Sequence, residues 1–480
     1  ITHAYLEVII YKKEVKKMTN DLTTGNPLTL IIKFAIPLLL GNLFLQIYQI
    51  SDMVIVGRLL GTETLAAVGS SAPIYMVFLM IAFGFTGGLT VVTAQRFGAH
   101  DDDGVQYSVF HSLVAALTLS VIMTLGLIFS LKPLLHLMNV PAEIFDDAYK
   151  FMFVLSLSAV MIITFNLLSG FIRALGDSKT PLYFLVFSSL INIVLNFVFI
   201  NNFKLGVVGS ALGTLVANTI SVILCYGYMW KRFPLLRLER RFMKFSWQVM
   251  RDHLNIAVPM ALQFSILSFS ILIVQGVCNS FGPSVIAAFA AALRIEQVAT
   301  QPLMAIGLAM ATFSAQNWGA SLLSRIRRGA KYAFLISTGL SIFGFILMRE
   351  VGENMIGIFV NDGNGDILRI GKEYLVISTQ FYFFLGLIFV FRNTVQGMGK
   401  PIVPFISSLI ELSTRIFAAI YLAKVMGYTG IFYASAISWT AAGLFVTAGY
   451  FFYINKFGKD TMRWKMGAIK QHLRETGPVD

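Results

Sequence analysis

Charge is what this 480-residue sequence has least of: Asp, Glu, Lys and Arg together make up 13% of it. A soluble chain carries about 25%, so a water-facing surface cannot be built over this length, and the deficit places the chain among membrane proteins. Cysteine is nearly absent. Cys225 and Cys278 both lie inside apolar stretches, which excludes a disulfide framework and leaves them as small hydrophobes. The six histidines (His3, His100, His111, His136, His253 and His472) have no partner at metal-ligand spacing, so no metal centre is expected. No Walker motif occurs, and no Ser or Asp sits in a nucleophile-elbow or phosphate-loop context. ATP is therefore excluded as the direct energy source, and clustered residues for an embedded enzyme are missing.

What fills the chain instead is apolar: 56% hydrophobic residues and a mean hydropathy of +0.75. Runs able to cross ~30 Å of hydrocarbon need roughly 20 residues, and many follow one another with short polar breaks. Spans are read near 30–57, 64–95, 106–131, 149–174, 180–201 and 208–230, then near 254–281, 285–316, 331–348, 371–397, 401–424 and 429–455. Gly57, Gly61, Gly98, Gly176, Gly206, Gly282, Gly319, Gly399 and Gly427 punctuate the breaks. The expected fold is all-α, with twelve transmembrane helices. The 42 Phe and 20 Met would suit an adaptable cavity, but in such a chain they read first as lipid-facing surface.

A net charge of +13 would fit nucleic acid if it formed a patch, but it is dispersed. Basic residues gather at Lys12, Lys13, Lys16 and Lys17, from Lys231 to Lys244, from Arg325 to Lys331 and from Lys456 to Lys470, each cluster flanking an apolar run. That is the pattern that sets membrane topology, and no nucleic-acid partner is expected. With the N-terminus inside, the basic loops fall on the inside. The outside loops carry Glu143, Asp146 and Asp147, or almost no charge near 279–284. Loop 96–105 is the exception, bearing Asp101, Asp102 and Asp103, though acids weigh little in this rule. Both termini are expected in the cytoplasm of a bacterial cell, with the chain in its inner membrane. No cleavable signal peptide is read, and residues 1–17, upstream of Met18, read as an extension.

The chain repeats itself. Gly61-x4-Ala66-Ala67 returns as Gly282-x4-Ala287-Ala288, Ala94-Gln95-x2-Gly98-Ala99 as Ala315-Gln316-x2-Gly319-Ala320, and Gly206-x2-Gly209 as Gly427-x2-Gly430. Each pair is 221 positions apart, and Pro37 matches Pro259 one register away. Halves with an even number of spans share one orientation, so two six-helix lobes should relate by a pseudo-two-fold axis along the membrane normal. Transporters commonly build a substrate site at such an interface. The expected organisation is a cytoplasmic segment 1–28, an amino-terminal lobe 29–230, a linker 231–253, a carboxy-terminal lobe 254–456 and a basic tail 457–480.

Asp52 is the one carboxylate that falls inside a span of the first half. An ionised carboxylate at a helix centre in lipid costs ~2.5 kcal/mol or more, so such residues usually serve function. Asn42, Gln46, Gln49 and Asp52 follow at spacings of four, three and three, which puts them on one flank of the helix. Pro37 removes a backbone hydrogen bond above them and favours a bend. The alternative is that Asp52 lies at the outer helix end, solvated near Arg58. Ser189, Asn192 and Asn196 share a face of the fifth span, where amides can receive substrate or simply join helices. In the second half, Glu411 precedes Arg415 by four residues, the order that suits an intrahelical ion pair. Glu296 is either a second cation site or the partner of a neighbouring cation.

Several runs resemble the multidrug and toxic compound extrusion family: Thr23-Thr24-Gly25-Asn26-Pro27, Ala35-Ile36-Pro37, Asp52-Met53-Val54-Ile55-Val56-Gly57-Arg58, Arg173-Ala174-Leu175-Gly176-Asp177-Ser178-Lys179-Thr180-Pro181, the repeated Ala-Gln-x2-Gly-Ala and Gln396-Gly397-Met398-Gly399-Lys400-Pro401. The resemblance covers about 19–456 and points nearest to the DNA-damage-inducible F-like bacterial branch. It implies twelve helices around a central cavity and cation-coupled antiport. It also implies that Asp52 is the first-helix coupling carboxylate, Pro37 the bend, and Asn192 part of an amino-lobe network. Asn196 stands where many relatives of that branch have aspartate, which argues against a two-carboxylate relay. No acid falls in the seventh span, where another branch has glutamate.

The expected function is therefore secondary active efflux of amphiphilic or cationic drug-like compounds in exchange for H+ or Na+, by a monomer surrounded by membrane lipid and without a cofactor beyond the coupling ion. The alternative is a flippase for lipid-linked oligosaccharides, which resembles the family in fold. Such proteins more often line their cavity with several cations, whereas here the intramembrane cations are few: Lys33, Arg294, Arg392 and Arg415. A major-facilitator carrier fits less well, because loop 96–100 reads Arg-Phe-Gly-Ala-His.

Overall fold

The computed structural model of the chain describes residues 20–359 and 365–476, with side chains apart from those of 271–272 and 459–476. The extension 1–17 and its lysines, and the basic side chains of the tail, lie outside the described residues.

The first helix, α1 (Pro27–Gly98), starts on a cap dictated by local sequence. The Asn26 side chain accepts from the Leu28 amide at 2.9 Å, and Pro27 takes the first helical position, where its missing N–H costs nothing. Its 72 residues are not one rod. Gly61 sits at φ 86°, ψ 179°, a backbone that only glycine adopts readily, and divides the helix in two. In the second half, α6 (Trp247–Cys278) is separated from α7 (Pro283–Ala299) by Gly282 at φ 88°. The pair of sequence motifs 221 positions apart is thus a pair of equivalent backbone breaks.

Between these lie α2 (Asp102–Leu137), α3 (Ala142–Ala174), α4 (Lys179–Phe197), which a π-turn extends to Asn202, and α5 (Gly206–Arg232). The second half continues with α8 (Gln301–Gly319), α9 (Leu323–Gly357), α10 (Gly365–Gln380), α11 (Tyr382–Leu387), α12 (Asn393–Gly397), α13 (Ile402–Met426) and α14 (Tyr428–Thr476). Among the described residues there is no strand.

Among the described residues, nine of these helices are long and apolar enough to span a membrane alone. The pair α7 and α8 forms another span bent by 41° at Thr300, where Pro302 opens the second helix. The stretch Gly365–Gly397 forms one bent by 51° at Phe381. Dividing α1 at Gly61 completes the twelve, six in each lobe.

The interlobe segment is shorter than the reading 231–253. It carries two 3₁₀ turns, Pro234–Leu236 and Arg240–Phe242, and α6 already begins at Trp247. Arg251, Asp252 and His253 gave that stretch a loop-like polarity. Yet the His253 ring is buried and lies 2.8 Å from the Ser108 hydroxyl, so α2 satisfies it inside the bundle.

The lobes interlock at the end where the basic residues lie. Ile31, Phe34 and Ala35 of α1 pack into a core with Ala305, Met310 and Phe313 of α8 and Tyr450 of α14. Ile256, Ala257 and Met260 of α6 pack into the core that holds Phe85, Leu89 and Val92 of α1. Each lobe's first helix therefore starts against the other lobe. The repeated Ala-Gln-x2-Gly-Ala motifs meet here as well. A Cβ on Gly98 would stand 2.0 Å from the Gln316 carbonyl oxygen, and one on Gly319 would stand 1.8 Å from that of Gln95. Such reciprocity is what a two-fold axis requires.

Candidate functional site

Asp52 is half-buried in the first segment of α1 and faces α4. The Asn196 amide nitrogen donates to its Oδ1 at 2.5 Å and to Asn192 Oδ1 at 3.1 Å. Asn192 in turn donates to the Thr214 hydroxyl on α5 at 3.2 Å, and Thr214 donates to the Ser210 carbonyl at 3.3 Å. One polar chain thus joins α1, α4 and α5 inside the amino-terminal lobe. The four-residue spacing of Asn192 and Asn196 puts both amides on one helix face, and Gly213 makes room for the second: a Cβ there would stand 2.2 Å from Asn196 Oδ1.

Among the described residues no Lys, Arg or His pairs with Asp52, so its charge is met by an amide dipole alone. The Asn196 Oδ1 and Ser210 Oγ atoms are buried without a hydrogen-bond partner. The cluster therefore holds one uncompensated carboxylate with spare oxygen acceptors, a donor set suited to a proton or a hard monovalent cation. Among the described residues, no three of His, Cys, Asp and Glu gather as metal ligands. Tyr48 and Tyr75 lie within electrostatic reach of Asp52.

The remaining residues of the α1 stripe do not join this network. Asn42 and Gln46 are half-buried and Gln49 is exposed. The Asn42 amide nitrogen is buried without a partner. Ser189 is buried, but its hydroxyl donates back to the Leu185 carbonyl of its own helix at 2.9 Å. Pro37 is buried inside α1, which remains helical through it.

A second polar cluster lies in the other lobe. Glu411 accepts from Arg415 four residues on, at 2.9 Å, and from Arg392 at 2.9 Å. Arg415 also donates to Ser270 and Ser438, both at 3.1 Å, and Arg392 to Ser407 at 3.2 Å. The i,i+4 pair read from sequence is present, but it is half of a triad. Two guanidinium groups on one carboxylate leave a surplus positive charge. Glu296 of α7 is buried and accepts from the Tyr374 hydroxyl, and it makes no ion pair with these arginines among the described residues. Its Oε1 and the Tyr382 hydroxyl are buried without partners.

Thr214, Ser210, Tyr48 and Gly213 belong to the Asp52 neighbourhood and escaped the sequence reading. Tyr48 carried a usable signal, lying one turn before Asp52. Thr214 and Gly213 carried none, because small residues in an apolar helix read as packing.

The MatE family model matches residues 37–198 and 259–421, two blocks that open at Pro37 and Pro259. Over 396 residues the chain is 27% identical to the probable multidrug resistance protein YpnP of Bacillus subtilis, covering 82% of this chain and 87% of that one. It is 23% identical to the multidrug export protein MepA of Staphylococcus saprophyticus, covering 86% and 91%. Among solved structures, an outward-facing conformation of a multidrug resistance MATE family transporter superposes with a TM-score of 0.85 at 23% identity, covering 91% of this chain and 98% of that one. A MOP superfamily transporter from Pyrococcus furiosus superposes at 0.84 and 23%, covering 91% and 97%.

Proposed function

Because the chain belongs to the MatE family, we propose that it is a secondary active multidrug efflux antiporter, exporting amphiphilic or cationic compounds in exchange for H+ or Na+, with Asp52 as the coupling carboxylate. The names borne by its relatives, multidrug resistance and multidrug export proteins, support the substrate class. The positions of Lys and Arg support placing the basic end of the bundle, and both termini, in the cytoplasm of a bacterial cell.

The observation that carries this reading is the hydrogen bond from Asn196 to an Asp52 that has no cationic partner among the described residues. A carboxylate so placed is costly to enclose while ionised, and it becomes cheap once a proton or sodium ion neutralises it. Loading from the outer side then favours closure of the amino-terminal lobe around Asp52. Release into the cytoplasm restores the charge and reopens the site to a cationic drug. Because the carboxylate stands without an acidic companion, one site exchanges one positive charge at a time.

Efflux into everted vesicles, with pH and sodium gradients imposed separately, tests the reading. One gradient should drive drug uphill in the parent protein, and neither should do so in Asp52→Asn at equal expression. Normal exchange by that variant would remove Asp52 from the mechanism.

A further inference from the structure

Residues Asn20 to Gly25 precede α1 and lie across the seam between the lobes at the basic end. Toward the amino-terminal lobe, the Asn20 backbone amide donates to the Leu175 carbonyl at 3.2 Å and its side chain to the Gly176 carbonyl at 3.2 Å. Toward the carboxy-terminal lobe the connections are more numerous. The Leu22 amide donates to Gln316 Oε1 at 2.8 Å, and the Leu22 carbonyl accepts from Asn317 Nδ2 at 3.2 Å. The Arg325 guanidinium donates to the carbonyls of Leu22 at 3.1 Å, Thr24 at 3.2 Å and Gly25 at 2.9 Å, while its Nε is steadied by Asn317 Oδ1 at 2.9 Å. Asp21 folds the segment on itself by accepting from the Thr23 amide and hydroxyl. Leu22 is 3% exposed and shares a core with Phe313.

The two-fold symmetry fails here. Gln95 and Gln316 still act as equivalents, the first donating to the Gly397 carbonyl and the second to that of Ala174, both at 2.8 Å. The positions 221 before Asn317 and Arg325, however, are Arg96 and Gly104, and Arg96 pairs with Asp101 instead. The segment that enters α6 contacts α2 of the amino-terminal lobe, through Ser246 to His111 at 2.9 Å and Glu239 to Gln106 at 3.3 Å. Among the described residues, the first entry segment alone hydrogen-bonds to both lobes.

We propose that Asn20–Gly25 is a strap that holds the cytoplasmic end shut, and that Gln316, Asn317 and Arg325 are positioning residues of the transport cycle which carry it on the second lobe. The inference rests on the transporter reading, since a strap of this kind matters only to a protein whose lobes part. Opening must separate Leu175 and Gly176 from Gln316 and Arg325, so the strap has to leave one of them. It leaves the first. Two neutral hydrogen bonds hold it there, whereas five hold it to the second lobe and three of those come from a guanidinium, the stronger kind. The start of α1 is also packed on the second lobe. The break therefore falls between Asn20 and Gly176.

Spin labels on Asp103→Cys and Ser324→Cys, in the full chain with Cys225→Ala and Cys278→Ala, report the separation of the lobes at this end in lipid nanodiscs. The parent should show mainly the short distance. Arg325→Ala should raise the long-distance population about tenfold, and Arg325→Lys, which keeps the charge but not the three-way donor, should raise it less. Should Arg325→Ala fail to fold, replacement of residues 20–25 by a Gly-Ser segment takes its place with the same expectation. A lowered melting temperature with an unchanged distance distribution would mean ordinary packing and overturn the proposal. The distances need neither drug nor ion gradient, so a failure of Asp52 coupling leaves this readout intact.

Discussion

Asn196 uses both amide hydrogens, one on Asp52 at 2.5 Å and the other on Asn192 at 3.1 Å. It hydrogen-bonds the carboxylate to the polar chain that runs through α4 to α5. An amide can orient a carboxylate without competing for its proton or cation, which a second acid in the same place would do.

Removal of that link should be felt in exchange, with the fold left intact. A hydrogen bond to a charged group is worth ~1.5–3 kcal/mol, so Asn196→Ala should lower drug–cation exchange in proteoliposomes by about tenfold or more at unchanged expression. Asn196→Ser, which retains one donor, should fall between. Parent-like exchange in both variants would leave Asn196 as packing only.

Crowding should act through the same atom. A Cβ at position 213 would stand 2.2 Å from Asn196 Oδ1, so Gly213→Val must push Asn196 away from Asp52. Exchange should fall as in Asn196→Ala, and the double variant should be no worse than either single one, because both remove the same bond. Additive losses would show that Gly213 acts elsewhere.

The two glutamates of the second lobe should separate by stability. Breaking a buried ion pair costs about 3–5 kcal/mol, and Glu411→Gln leaves Arg392 and Arg415 facing each other. Its thermal inactivation in detergent should come at clearly lower temperature than that of Glu296→Gln, which keeps its hydrogen-bonding shape beside Tyr374. Equal shifts would contradict the reading of Glu411 as the shared partner of two buried arginines.

Closure of the seam should depend on the absence of side chains. Gly319→Leu places bulk where a Cβ alone already meets the Gln95 carbonyl at 1.8 Å. The basic end should then stay open, and Ser321→Cys should label faster from that end than in the parent background. Unchanged labelling would show that the seam closes by another contact.

Much of the architecture could be read beforehand, because each transmembrane span is a local property: an apolar run either reaches across the hydrocarbon or it does not. The repeat at 221 positions announced the equivalent breaks at Gly61 and Gly282, while the reciprocal contact of Gly98 and Gly319 came only with packing. The start of α6 was misplaced because Arg251, Asp252 and His253 look like loop residues until Ser108 is seen to satisfy the imidazole. Asn42, Gln46 and Gln49 share a flank with Asp52 by periodicity, yet periodicity does not say which turn of the helix the next helix touches.

From the order of residues alone came the membrane setting, the twofold repetition and the isolation of one acid in the first span, since transfer into lipid is costed residue by residue. Which amide meets that acid, which second arginine joins Arg415 on Glu411, and where the strap before α1 docks were decided only on folding. Those partners lie 144, 19 and about 300 positions apart, and over such separations a hydrogen bond of a few ångströms is fixed by how the helices pack.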